Sequence, residues 1–466
     1  MKKILLTLSL GALIIYLPYF LDMEKLMTST QLIVLKLLII MILLWVTEII
    51  PPSITALFPI LVLPFLSDIE PKSILSSYSS SVVFLILGGF IIAYGFQKSN
   101  LHYRLALGIL SKFGDTKLKV MVSISLLTTI LSMLFSNTAT SLLMLPIVKS
   151  IIDENFRNDK LNSSFTNYLL LTIAYSASIG GMMTPIGTIP NAVLIGFLSE
   201  NYSLEIDFKK WFVYVSPIAL SIIIVMLTFI SLRIKELNQK ISIKNITNKY
   251  LKLGRYSKNE RVATFIITLT ILLWIFKSNI NLLLNIKLTD SIIAIFGASL
   301  FFLIPAKNGK VMLANEWFEK IPWNILILFG GGLALASLII TSGLAKEITL
   351  FLNDFQHVNL FILILLIAFF TSILTEFTSN TATTFLLLPI LSIFADTNKI
   401  ELTLLLLPFI LSASCAFMMP IATPPNAIIY SNNSFKIFFM VKNGFFLNLI
   451  AILIIASYVY LTGGIF

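Results

Sequence analysis

Ser136, Asn137, Thr138 and Thr140 stand together in a stretch of chain that is otherwise apolar, and the same group returns as Ser379, Asn380, Thr381 and Thr383. Hydroxyl and amide oxygens without a permanent charge suit a hard cation such as sodium. Their N–H and O–H groups suit a carboxylate. A helix starting at such a group points its positive end back at it, which favours an anion. One polar tip can therefore hold a cation on one side and an anionic oxygen on the other. Each tip runs on to Leu-Pro-Ile, at Leu145-Pro146-Ile147 and Leu388-Pro389-Ile390, and the two windows are 243 residues apart.

A second pair of motifs follows. Met183-Thr184-Pro185-Ile186-Gly187-Thr188-Ile189-Pro190-Asn191-Ala192 matches Met418-Met419-Pro420-Ile421-Ala422-Thr423-Pro424-Pro425-Asn426-Ala427, at a separation of 235. Proline breaks a helix and removes a donor, so each motif predicts an unwound stretch. Carbonyls there can complete a cation shell, and Thr188 and Thr423 can reach a carboxylate. The small residue before each threonine permits close backbone approach. A single Ser-Asn-Thr is usually a polar helix contact and a single proline a kink. Two ordered copies, joined by the pairs Gly88-Gly89 and Gly331-Gly332, point instead to one site built from two repeats.

The elements that position these motifs are membrane helices. The chain has 466 residues, 57% hydrophobic and only 12% charged. Continuous apolar runs exclude a soluble globular protein, and the lack of period-two polarity excludes a membrane β-barrel. Eleven stretches read as spans: 4–20, 31–50, 54–66, 82–97, 167–184 continuing to 198, 211–231, 262–277, 290–305, 323–340, 402–418 continuing to 430, and 445–462. The segments 118–150 and 359–395 carry the polar tips near their middles. Each is too short for two full spans, so both read as hairpins that enter and leave on one side. The first apolar stretch ends in Pro18-Tyr19-Phe20 without a small-residue cleavage pattern and is expected to be retained.

The net charge of +11 follows the positive-inside rule. The segment 232–261, with Arg233, Lys235, Lys240, Lys244, Lys249, Lys252, Arg255, Lys258 and Arg261 against Glu236 and Glu260, reads as a basic cytoplasmic loop beside anionic headgroups. With the N-terminus inside, the other basic stretches also fall inside and the C-terminus lies outside. The two hairpins then open to opposite sides. The whole chain, 1–466, is a single membrane domain: a first repeat over 31–231, the basic loop, and a second repeat over 262–462. No nucleic-acid module is present.

Other chemistry is excluded or weaker. Cys415 stands alone, and His102 and His357 offer no metal cluster. No phosphate loop, zinc-helix motif or nucleophile elbow appears, so the chain is not expected to be an enzyme. Glu48 sits near a helix end and suits a structural or gating role. Glu376, between Thr375 and Thr378, suits a proton or cation site or the hairpin mouth.

The two tips and paired proline motifs, with Trp45-Val46-Thr47-Glu48 and Thr55-Ala56-Leu57, resemble the divalent anion/sodium symporter family, also called the INDY or solute carrier 13 group. The likeness runs from about residue 31 to 462. It implies an all-α elevator-type fold of about eleven membrane helices and two re-entrant hairpins, working as a homodimer in the cell membrane. It implies sodium-coupled symport of dicarboxylates such as succinate, malate or fumarate, with exchange or citrate or sulfate transport as alternatives of the same fold. Outside the resemblance, the rival is a cation/proton antiporter of related repeat architecture with Glu48 or Glu376 carrying protons. By the same resemblance one sodium site uses Ser132, Ser136, Asn137 and Gly187, and the other Thr375, Thr378, Ser379, Asn380 and Ala422. Substrate meets Ser136, Asn137, Thr138 and Thr188 from one half. Ser379, Asn380, Thr381, Thr423 and Pro424 meet it from the other. One departure from the doubled pattern is Ile189, which stands where the second half has Pro424.

Overall fold

Short polar residues start most of the helices, as their side chains satisfy the orphan N–H groups of a first turn. In a computed structural model describing residue 11 and residues 27–47, 49–156, 163–350, 358–432 and 434–465, these caps divide the chain into α1 (Ser29–Thr47), α2 (Ser81–Lys98), α3 (Leu101–Phe113), α4 (Lys117–Ser132), α5 (Asn137–Asn155), α6 (Ser163–Met182), α7 (Ile189–Tyr202) and α8 (Phe208–Ser231). After these come α9 (Lys244–Lys252), α10 (Lys258–Leu284), α11 (Asp290–Leu303), α12 (Trp317–Lys320), α13 (Trp323–Thr341), α14 (Leu344–Leu350), α15 (Leu360–Phe377), α16 (Asn380–Thr397), α17 (Leu402–Ala413), α18 (Pro424–Tyr430) and α19 (Ile437–Thr462). The expected first span, Glu48 and His357 lie outside the described residues.

The protein is an all-α polytopic membrane protein. Among the described residues six helices are long and apolar enough to cross a bilayer, and shorter apolar helices join them. The order of elements repeats. Helix α2, the small α3, the α4–α5 pair, the broken α6–α7 and the long α8 correspond in turn to α13, α14, α15–α16, α17–α18 and α19.

Matched glycines have matched reasons. A methyl added at Gly88 would sit 2.7 Å from the Ala294 carbonyl carbon of α11, and one at Gly331 would sit 2.6 Å from the Ala56 carbonyl carbon. Both positions let a membrane helix cross another backbone at close range.

Two expectations need correction. The run 54–66 is not one unbroken helix. It is split into the turns Pro52–Thr55, Phe58–Val62 and Leu63–Phe65, each with a proline in its first positions. The Ala56 carbonyl freed by those breaks accepts from the Tyr78 hydroxyl at 2.6 Å, and Trp45 Nε1 adds a bond at 3.1 Å to the Pro52 carbonyl, which also accepts from Ala56 N. Nor is 232–261 merely a loop at the lipid surface. It contains α9, which packs on α3 and α5, and it carries Glu260. That carboxylate meets the Arg104 Nε at 2.7 Å, with both side chains 5% exposed. Arg104 also donates to the carbonyls of Leu253, Gly254 and Arg255 at 3.2, 2.8 and 3.2 Å. Charged residues that look solvated in sequence thus tie α3 to the connecting segment and the first turn of α10.

Candidate functional site

Helices α4 and α5 form a hairpin whose bend is residues 133–136, and α15 and α16 form its counterpart. At each bend the serine is the helix cap. Ser136 Oγ accepts from Ala139 N at 3.3 Å, and Ser379 Oγ accepts from Ala382 N at 3.1 Å. Each asparagine therefore occupies the first helical position, where its side chain turns back beneath the tip.

Beneath the tips the same arrangement occurs twice. Ser132 Oγ lies 2.8 Å from Asn137 Oδ1 and 2.7 Å from the Ala177 carbonyl oxygen. Thr375 Oγ1 lies 2.7 Å from Asn380 Oδ1 and 3.0 Å from the Ala413 carbonyl oxygen. A hydroxyl has one proton, and here it faces two acceptors. Each cluster is rich in oxygen lone pairs and short of donors, which is the environment a hard cation favours. In the first half, glycine brings in further oxygens. A methyl at Gly181 would collide with Asn137 Oδ1 and lie 3.1 Å from the Gly187 oxygen, and one at Gly187 would lie 2.9 Å from the Ser132 oxygen. The second half has Ala416 and Ala422 in these places, so its backbone strands cannot approach in the same way.

The broken helices are held by asparagine. Asn191 Nδ2 donates to the carbonyls of Gly181, Met182 and Thr184 at 3.1, 3.0 and 2.8 Å. Asn426 Nδ2 donates to those of Ala416 and Met419 at 2.9 and 3.0 Å. The Gly181 and Ala416 carbonyls, each four residues before a proline, have no helical partner and depend on these side chains, whereas the Met182, Thr184 and Met419 carbonyls also accept from Trp211 Nε1, Gly187 N and Ala422 N. Thr184 adds a bond from its hydroxyl to the Met133 carbonyl at 2.5 Å, joining the first break to its hairpin tip.

Glu376 is fully buried and sits on the second break. Its carboxylate accepts from Met418 N at 2.9 Å, Met419 N at 2.8 Å and Asn448 Nδ2 at 2.8 Å. Three donors satisfy it, so it shapes the unwound stretch and does not face the hairpin mouth. Cys415 is buried packing, its Sγ 3.4 Å from the Leu411 oxygen.

Both tips and both breaks border one cavity of about 750 Å³. Ser136, Asn137, Thr138, Gly187 and Thr188 form its wall from the first half. Ser379, Asn380, Thr381, Ala422, Thr423 and Pro424 form it from the second. Ser132, Thr375 and Thr378 are not on this wall; the first two lie in the oxygen clusters. The Thr378 hydroxyl is bonded to Thr383 Oγ1 at 2.6 Å and to the Leu374 oxygen at 3.0 Å. Thr423 caps α18 by accepting from Asn426 N at 3.3 Å, whereas the Thr188 side chain makes no cap bond.

Sequence reasoning missed Asn191 and Asn426 as clamps, although both lie within the proline motifs it singled out. It also missed Gly181, for which the neighbouring Gly180 was the only local hint, and Lys320, which lies in neither motif yet borders the cavity.

A family model described as the sodium:sulfate symporter transmembrane region matches residues 2–463. The sodium-dependent dicarboxylate transporter SdcS of Staphylococcus saprophyticus is 36% identical, the match covering 89% of this chain and 83% of that protein. The transporter of the same name from Staphylococcus aureus is equally similar, at 36% with the same coverage. Among solved structures the fold is like that of the YdaH transporter of Alcanivorax borkumensis, with TM-score 0.60 over 89% of this chain and 99% of that one. It is also like that of MtrF of Neisseria gonorrhoeae, with TM-score 0.58 over 83% and 81%. Sequence identity to each is 12%, so these two likenesses concern the fold alone.

Proposed function

The chain belongs to the sodium:sulfate symporter family, the divalent anion/sodium symporter group its doubled tips resemble, and from that membership we propose that it is a sodium-coupled dicarboxylate symporter. The observation that carries this reading is the pair of lone-pair-rich clusters, Ser132–Asn137–Ala177 and Thr375–Asn380–Ala413, set behind two tips that face one cavity.

In this reading sodium enters the first cluster among Ser132, Ser136, Asn137 and Gly187. A second ion binds among Thr375, Thr378, Ser379, Asn380 and Ala422. Thr378 contributes its backbone oxygen there, since its hydroxyl is already bonded. Sodium neutralises the crowded oxygens and orders the tips. A succinate-like dianion then lies between them. One carboxylate meets Ser136, Asn137, Thr138 and Thr188, and the other meets Ser379, Asn380, Thr381, Thr423 and Pro424. The tip motifs carry no positive side chain, so co-bound cations supply the charge that holds the dianion, which is the physical basis of coupling. Membrane potential contributes about 2.3 kcal/mol per charge per 100 mV, and import gains from it when more than two sodium ions accompany each dianion.

Transport proceeds by an elevator movement of the tips and broken helices against a scaffold near 31–66 and 262–305, where a second copy packs to form the homodimer. Two re-entrant hairpins and about eleven spans, arranged as inverted repeats over 31–231 and 262–462, make up each subunit. The N-terminus is cytoplasmic and the C-terminus extracytoplasmic. The cavity extends from the tips to Gln97 and Lys320, at the ends of α2 and α12 that this orientation puts in the cytoplasm, so the conformation is inward-facing.

The test is uptake of radiolabelled succinate by proteoliposomes with and without an inward sodium gradient. Sodium-dependent accumulation is expected, and Asn137→Ala and Asn380→Ala should each abolish it while the protein stays folded. Uptake that ignores sodium and follows internal dicarboxylate would make the protein an exchanger. Failure with succinate but not with citrate or sulfate would change the substrate, and cation-linked proton flux without any anion would replace symport by antiport.

A further inference from the structure

The cavity wall is almost wholly neutral. Among the described residues that line it, Lys320 is the one with a charged side chain. It lies 59 residues before Ser379 and beyond both repeat motifs, and only the fold brings it to the cavity. The side chain is exposed, and no carboxylate pairs with it among the described residues. Glu316, one turn earlier, is paired with Lys98 of α2, and that ammonium holds its carboxyl below the usual range; the adjacent Glu319 is exposed and forms no ion pair with Lys320 among the described residues.

The turn that presents Lys320 is rigid. Trp323 Nε1 donates to the Phe318 carbonyl at 2.8 Å, and Ile321 N donates to the Trp317 carbonyl at 3.2 Å. The rings of Phe318 and Trp323 lie 4.7 Å apart between centroids, with Trp317 5.9 Å from Trp323. An aromatic cluster thus fixes the base of a long, unpaired cation at the rim of a low-dielectric cavity. Such walls focus the field of a single charge into the space between them.

We propose that Lys320 is the anion-receiving residue of the cytoplasmic entrance, an affinity-determining group that attracts a dicarboxylate dianion on this face and sets how tightly it is held before release. The assignment rests on the dicarboxylate reading and on the inward-facing orientation, and adds to them a residue outside the binding motifs. A dianion gains twice what a monoanion gains from one nearby charge, so Lys320 also favours dicarboxylates over monocarboxylates on the inner side. On the outer side it has no role, because there the tips reach the substrate from the opposite entrance.

The experiment compares right-side-out and everted membrane vesicles bearing the full chain, with succinate as the probe. Lys320→Gln is expected to raise the half-saturating succinate concentration about five- to tenfold in everted vesicles, since field focusing acts on encounter and retention at that mouth. Maximal rate should change little, and right-side-out vesicles should stay within about twofold of wild type by the same argument. Lys320→Arg should restore the everted value. Added salt should weaken inner affinity in wild type and leave Lys320→Gln nearly flat. An equal shift on both faces, no shift on either, or a loss of rate that arginine does not rescue would overturn the proposal. Wild-type vesicles inactive with succinate on both faces would overturn the dicarboxylate reading and this proposal with it, whereas active wild type with an unchanged variant removes this proposal alone.

Discussion

Asn191 and Asn426, 235 residues apart, clamp their broken helices through equivalent carbonyls: Gly181 and Thr184 in the first half, Ala416 and Met419 in the second. The amide does what the missing helical N–H groups would have done. Each unwound stretch is therefore a built shape, held by one side chain that itself belongs to the next helix.

Removing either amide should be costly. Asn191→Ala leaves the Gly181 carbonyl and Asn426→Ala the Ala416 carbonyl without a donor among the described residues, at about 1–3 kcal/mol for each group left unsatisfied, while the Met182, Thr184 and Met419 carbonyls keep bonds from Trp211 Nε1, Gly187 N and Ala422 N. Thermal unfolding in detergent is expected to shift down for both by similar amounts, with sodium-driven uptake reduced at least in proportion. Unchanged melting curves would show that the breaks hold their shape without these amides.

Ser132→Ala and Thr375→Val each delete one oxygen from a cluster and leave the tip residues in place. The expected effect is a rise in the sodium concentration for half-maximal uptake of about tenfold, equivalent to the loss of one coordinating contact worth roughly 1.4 kcal/mol. Succinate affinity at saturating sodium should be nearly preserved. If succinate affinity fell at saturating sodium while the sodium dependence stayed put, the clusters would be part of the anion site.

Thr188 and Thr423 occupy equivalent wall positions but differ in their bonding. Thr423→Ala removes a helix cap, costing about 0.5–2 kcal/mol, and is expected to weaken succinate binding more than sodium binding. Thr188→Ala removes no cap bond, so it should lower substrate affinity with the melting temperature unchanged. Calorimetry beside uptake kinetics separates the two. Equal loss of sodium and succinate affinity in Thr423→Ala would make that residue structural.

Glu376 accepts three hydrogen bonds, and Glu376→Gln would put an NH₂ group against a backbone N–H. A donor facing a donor in a buried place costs about 1–3 kcal/mol, so the variant should be less stable and slow at every pH. Were Glu376 instead a proton carrier, the glutamine variant would transport normally but lose a pH dependence seen in wild type.

Arg104 and Glu260 form a buried pair, and neither borders the cavity. Removing one partner, as in Arg104→Leu, is expected to cost about 3–5 kcal/mol because the other charge stays buried. The double variant Arg104→Leu with Glu260→Leu should recover much of that loss. A double variant no more stable than the single one would mean that the bonds from Arg104 to the 253–255 carbonyls outweigh the pair.

Much of this protein is set by local sequence. Long apolar runs can only be membrane helices, because backbone polar groups must be satisfied within the bilayer. The two Ser-Asn-Thr tips and the two proline motifs mark breaks through chemistry carried by the residues themselves: serine caps, proline interrupts. Their constant separations of 243 and 235 already state that one site is built twice. Tertiary structure decided what meets what. The partners of the Ser132 and Thr375 hydroxyls, Ala177 and Ala413, offer only backbone oxygens, which no side-chain pattern reveals. The run 54–66 has the composition of a straight helix yet breaks into turns at its prolines, and the Tyr78 hydroxyl supplies the Ala56 carbonyl with a donor from elsewhere in the chain. Arg104 and Glu260 look solvated until α3 and α10 meet, and Lys320 looks like a loop cation until α12 is set beside the cavity. Caps, breaks and apolar length depend on near neighbours along the chain. Helix crossings depend on which surfaces fit, and that fit exists only in the assembled fold.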